Sequence, residues 1–106
     1  MKKLEKLLRQ GDTEERCGLI LKGNKILELD NVAEDKVKGF EIPPEALVEH
    51  EDNLIGTWHT HPGETGNLSD RDRIGFCNWP KLKHFIIGTD GVSEYYVEDG
   101  IVFNAN

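Results

Sequence analysis

The chain has 106 residues, room for one small domain built on one core. Its 20 acidic and 13 basic side chains give a net charge of −7, the wrong sign for a phosphate-binding surface, so no nucleic-acid partner is expected. Hydrophobic residues make up 37% and charged residues 31%, as in an ordinary globular domain, and no apolar run approaches the ~18 residues of a membrane span, so no membrane partner is expected either.

Leu4, Leu7 and Leu8 stand at i, i+3, i+4 spacing among charged residues. That spacing predicts a short amphipathic helix over Met1–Gln10, closed by Gly11 and lying on the core. The start of the chain carries two lysines but no apolar run of signal-peptide length, so the expected location is cytoplasmic. Asp12–Arg16 is a polar connector. Cys17–Leu21 is an apolar run fit for a buried strand, Lys22–Lys25 a turn, and Ile26–Leu29 the returning strand of a hairpin. Asn31–Gly39 is charged and reads as a loop or a frayed strand. Phe40-Glu41-Ile42 ends at Pro43-Pro44, and Pro44 can open a helix over Glu45–His50.

Asp52-Asn53 turns into Leu54–Trp58, a buried strand that runs on into His59 and His61. Trp58 is assigned to the core. Pro62 and Gly63 stop the strand. Ser69–Trp79 is the next helix, with Ile74, Phe76, Cys77 and Trp79 available for packing, and Pro80 ends it. His84–Gly88 reads as a strand and Thr89–Gly91 as a turn. Ser93–Glu98 and Ile101–Phe103 close the sheet as a hairpin through Asp99-Gly100. The order of elements gives an α/β or α+β layered domain.

The chemistry concentrates between His59 and Asp72. Residues i and i+2 of a strand share a face, so both imidazoles can meet one metal ion. Ser69-x-x-Asp72 fits a helix-capping box, and Asp72 can also swing back toward the histidines. Two histidines and one carboxylate, with a position left for water, are the composition of a catalytic zinc site. Capping and ligation are expected to compete for Asp72. His50 and His84 are assigned structural or exposed roles. Cys17 and Cys77 lack Cys-x-x-Cys pairing and read as small buried hydrophobes. A zinc deaminase is excluded, because its His-x-Glu and Pro-Cys-x-x-Cys signatures do not occur.

His59-Thr60-His61-Pro62, six further residues, and Ser69-x-x-Asp72 together resemble the metal motif of the JAB/MPN metalloprotease family, also called JAMM. Glu15-Arg16-Cys17-Gly18 resembles the segment that carries that family's upstream glutamate, and the resemblance spans Thr13–Gly88. It implies one domain over residues 1–106, with the family's twisted mixed sheet flanked by helices, similar to the cytidine-deaminase architecture. It also implies zinc on His59, His61 and Asp72. Such an ion lowers the pKa of a water from ~16 toward ~7. Glu15 takes the general-base role, because family members place the acid two residues before the Cys17-equivalent position. Its neighbour Glu14 then points away from the metal. Ser69 is the implied donor to the oxyanion. Thr60 stands where the family usually has serine.

The implied activity is that of a zinc-dependent peptidase or isopeptidase cutting an amide bond in a protein substrate. The tail of a ubiquitin-like sulfur carrier and a phage tail component are the two substrate classes. The short chain looks like a minimal prokaryotic or phage tail-assembly form, acting in the cytoplasm of a bacterium, an archaeon or a phage-infected host. The alternative is a non-catalytic MPN scaffold that binds a protein partner.

Overall fold

The structure, a computed structural model, describes residues 2–105. Helix α1 (Lys2–Glu5) precedes the hairpin β1 (Cys17–Leu21) and β2 (Lys25–Leu29). Helix α2 (Pro44–Glu49) and a 3-10 turn (Glu51–Asn53) lead into β3 (Leu54–Thr60). Helix α3 (Asp70–Cys77), β4 (Lys83–Gly88), β5 (Gly91–Glu98) and β6 (Ile101–Asn104) complete the order. The strands form one six-stranded mixed sheet in the order β2-β1-β3-β4-β5-β6. Only β3 and β4 run parallel, and α3 lies in the crossover that a parallel pair requires. The fold is α+β.

The three central strands are buried on both faces, which is why β1 and β4 read as continuous apolar runs rather than alternating ones. Leu4, Ile20, Trp58, Phe85 and Ile87 form one core, under the leucines of the opening segment. Phe76, Ile86 and Tyr95 form the other, under α3, so two clusters stand where one core was expected from the length. Trp58 reaches across Gly18 and donates its indole N–H to the Leu27 carbonyl at 3.2 Å. A Cβ at position 18 would collide with that indole, so glycine is needed there.

Two expectations need correction. The opening helix spans only Lys2–Glu5 of the expected Met1–Gln10, and Met1 lies outside the described residues. Leu7 N donates to Leu4 O at 3.0 Å, a tight turn that bends the chain early while Leu7 and Leu8 still pack on the core. Arg16 donates from Nη1 to the Leu7 carbonyl and pairs with Glu28 at 2.6 Å, tying the bend to β2. Ile74 on α3 and Trp79 beyond its end do not pack inward. They are 69% and 45% exposed, and Cys77 is only half-buried. The buried positions are Asp72 and Phe76, one turn apart, so the inward stripe begins with a carboxylate.

His84 pins the far end of α3. Its ring stacks on Phe76 with centroids 4.2 Å apart and planes 9° apart. Nε2–H donates to the Trp79 carbonyl at 3.0 Å, which leaves Nδ1 to accept from the Thr57 hydroxyl at 2.7 Å. Burial pushes His84 down to about 4, only partly opposed by its bond to Trp79. A folded-state value below the unfolded one means that the neutral ring stabilises the fold fully above pH ~6.5. That contribution is lost as pH falls toward ~4. We expect the unfolding free energy of the metal-free protein to drop between pH 7.5 and 4.5 by about 2–3 kcal/mol more than that of His84→Gln. Urea titrations at the two pH values measure it, and equal drops would assign the pH sensitivity to other groups.

Candidate metal centre

The site lies at the carboxyl end of β3, where the chain leaves the sheet for α3. β3 alternates, so Trp58 and Thr60 face the α1 side while Thr57 and His59 face α3. His61 lies one residue beyond the strand. Its N–H still bonds the Ile87 carbonyl at 2.8 Å, which carries the pairing with β4 far enough to hold the second imidazole on the same side as the first.

The two Nε2 atoms lie 3.1 Å apart. Asp72 Oδ1 is 3.0 Å from His59 Nε2, and Asp72 Oδ2 is 3.0 Å from His61 Nε2. Ligands about 2.0–2.1 Å from a tetrahedral ion stand about 3.3 Å from one another, so these spacings suit a single small ion. His61 Nδ1–H donates to the Thr65 carbonyl at 2.9 Å, the tautomer that aims the Nε2 lone pair into the site. His59 is held differently. Phe40 stacks on its ring with centroids 4.0 Å apart, and its buried Nδ1 has no partner among the described residues.

Glu15 comes from the segment just before β1, the strand that pairs Cys17 with His59. Its carboxylate, with His59 and His61, forms a buried group whose polar atoms lie within 4.8 Å of one another, close enough to hold a metal ion. Glu15 Oε1 is buried without a hydrogen-bond partner among the described residues. Glu14 is exposed. Thr60 faces away from the histidines, its hydroxyl accepting the Arg16 N–H at 2.9 Å.

Ser69 caps α3. Its Oγ accepts the Asp72 N–H at 3.1 Å, and Asp72 Oδ2 accepts the Ser69 N–H at 3.3 Å. Capping and the approach to the histidines coexist here. Asp72 Oδ2 serves both the helix terminus and His61, while Oδ1 faces His59. A carboxylate has enough lone pairs for all three contacts.

The electrostatics follow from this crowding. Burial lifts Glu15 to about 7, helped by Asp72 and opposed by His61. Burial alone would raise Asp72 too, but its hydrogen bonds from His59 and His61 win and hold it well below the usual carboxylate range. Burial keeps His59 below its ordinary value against the pull of Asp72. Burial also opposes the charged form of His61, yet the bonds to Asp72 and Thr65 carry it above its ordinary value.

A cleft of about 590 Å³ opens beside Asp72, between α3 and the 33–47 segment. Phe40, Ile42, Leu47, Phe76 and Trp79 give it an apolar lining, and its charged rim is mainly acidic, Glu34, Asp35, Glu41 and Asp72 against Arg71. His50 and the two thiols stand apart from the metal group, and both cysteines are free.

The sequence pattern missed two contributors: Phe40 lies in a loop without periodicity, and Thr65 acts through its carbonyl. His84, expected to be structural or exposed, is a buried structural anchor of the cleft wall.

No protein-family model matches the chain, and no curated protein matches it. Among solved structures, it is similar to the solution structure of protein DSY2949 from Desulfitobacterium hafniense. The two share a TM-score of 0.74 at 21% identity, over 100% of this chain and 85% of that chain. At that identity the likeness speaks for a shared fold: an α+β domain around a six-stranded mixed sheet.

Proposed function

We propose that this protein is a zinc-dependent peptidase or isopeptidase of the JAB/MPN kind, acting on an amide bond of a protein or peptide. One observation carries the reading. Two imidazole Nε2 atoms and a carboxylate converge at 3.0–3.1 Å, with an unpartnered, buried Glu15 oxygen beside them. His59, His61 and Asp72 would hold the ion. Zinc supplies, when bound, a water acidified toward neutral pH and a Lewis acid for a carbonyl oxygen.

The chain's own residues supply the rest. Glu15, a buried carboxylate within reach of both histidines, suits a group that must take a proton and return it to a leaving amine. Keeping Glu15 out of the ligand set leaves a position for substrate, as a catalytic zinc site requires. Ser69 Oγ accepts from the Asp72 backbone, which leaves the hydroxyl proton to donate to a developing oxyanion. The cleft beside Asp72 gives an extended peptide apolar surface to lie against, and Arg71 a cation to meet.

The first test is metal content. Protein purified without added metal should carry about one equivalent of zinc per chain, or take it up on titration. Elemental analysis and a chelator competition measure this. Less than about a tenth of an equivalent, with no uptake, would remove the basis of the proposal.

A further inference from the structure

The Thr65–Gly66 peptide is held at both ends. Its carbonyl accepts the His61 Nδ1–H at 2.9 Å. Its N–H, that of Gly66, donates to Asp90 Oδ1 at 2.8 Å. Asp90 lies in the turn between β4 and β5, far from the metal motif in sequence. The peptide rests directly on Gly88 of β4, where a Cβ would collide with the Gly66 nitrogen and the Thr65 carbonyl carbon. The next carbonyl along, that of Gly66, accepts the buried Tyr95 hydroxyl at 2.8 Å.

One planar amide thus stands between a carboxylate and an imidazole. Its N–H and C=O are coupled by resonance. A negative charge accepting from the N–H pushes electron density onto the carbonyl oxygen, and that oxygen then holds the imidazole proton more strongly. A proton held on Nδ1 fixes the tautomer that presents Nε2 to a metal, and makes Nε2 the better donor. A hydrogen bond to the second nitrogen is what a metal-binding histidine ordinarily needs. His61 has it, whereas His59 Nδ1 has none.

We propose that Asp90 is a positioning residue for His61, acting through the Thr65–Gly66 peptide. The inference rests on the metal-site reading above. It makes the β4–β5 turn part of the site's machinery, although no Asp90 atom touches a ligand residue directly. Asp90 is exposed, so its charge is partly screened by water and the effect is graded rather than all-or-none.

Three variants separate this role from simple loop fastening. Asp90→Asn keeps an oxygen for the Gly66 N–H but removes the charge. Asp90→Ala removes both. Tyr95→Phe loosens the same loop from its other side and leaves the Asp90–peptide–His61 chain intact. NMR of 15N-labelled protein follows the His61 Nδ1–H resonance in the metal-free and zinc-titrated chain, and a chelator competition gives zinc affinity.

Asp90→Asn should move the resonance upfield and weaken zinc about 10-fold, and Asp90→Ala about 100-fold. Tyr95→Phe should leave the resonance in place. Parental values in Asp90→Asn, or equal shifts in Asp90→Asn and Tyr95→Phe, would overturn the proposal. If the parent binds no zinc, the metal reading falls by that result alone. The resonance of the metal-free chain still decides whether Asp90 governs His61.

Discussion

Asparagine in place of Asp72 is expected to strip the site of its metal while leaving helix α3 capped. The two roles of this side chain use different properties. Capping needs an oxygen that accepts the Ser69 N–H, and an asparagine oxygen does that. Ligation needs a charged oxygen facing His59 and His61. Structural zinc sites bind with about 10–16 kcal/mol through four ligands, or about 2.5–4 kcal/mol for each. Losing one ligand should therefore weaken zinc by about 10²–10³-fold. A residue that only capped the helix would leave zinc affinity alone, and with the asparagine oxygen still capping would cost at most ~1 kcal/mol of stability. Calorimetric zinc titration beside thermal melts of the metal-free proteins tells these outcomes apart. Undiminished affinity with a small loss of stability would mean that Asp72 is a cap and nothing more.

Asp72 also explains where the sequence stops being legible. Strands could be read because β1, β3 and β4 are apolar runs bounded by turn residues, and the two histidines because alternation forces i and i+2 onto one face. The choice of Glu15 over Glu14 comes from the family resemblance, which places the acid two residues before the Cys17-equivalent position. On α3, apolar spacing fails. The inward stripe is Asp72 and Phe76, so the polar ligand occupies a core position and Ile74, two residues on, faces solvent. A pattern that counts apolar residues turns such a helix the wrong way.

The parts supplied by backbone leave no mark on the sequence at all. The Thr65 carbonyl would orient His61 whatever side chain it carried. Gly88 shows only as a glycine ending a strand, although the loop over it needs its missing Cβ. Asp90 looks like any acid in a turn until the fold brings it to the Gly66 N–H. Side-chain ligands must be particular residue types at particular spacings. The scaffold that aims them need only be a peptide in the right place.

Glutamine at position 15 is expected to give a protein that binds zinc, folds and does not turn over. Glu15 comes from a different segment than the ligands, just ahead of β1, and its carboxylate lies within reach of both histidines. One of its oxygens is buried with no partner among the described residues. A buried acceptor left unpaired costs stability, so natural chains keep one where it has a task. A carboxylate at that place can take a proton from a water and pass it on. Glutamine keeps the shape and an oxygen and nitrogen for hydrogen bonds, but it cannot accept the proton. Turnover should fall by about 10²-fold or more, with zinc content and melting temperature close to those of the parent.

Glu14→Gln is the internal control, because Glu14 is exposed and should be close to neutral in every assay. Substrates to try are a ubiquitin-like protein with a C-terminal extension and candidate phage tail proteins. A Glu15→Gln protein that cleaves as fast as its parent would sink the mechanism. So would an inactive Glu14→Gln, since the base would then lie on the wrong side of the strand. Loss of zinc in Glu15→Gln would carry a third meaning. Glu15 would then be a ligand beside His59 and His61, and the acid left to act as base would be Asp72.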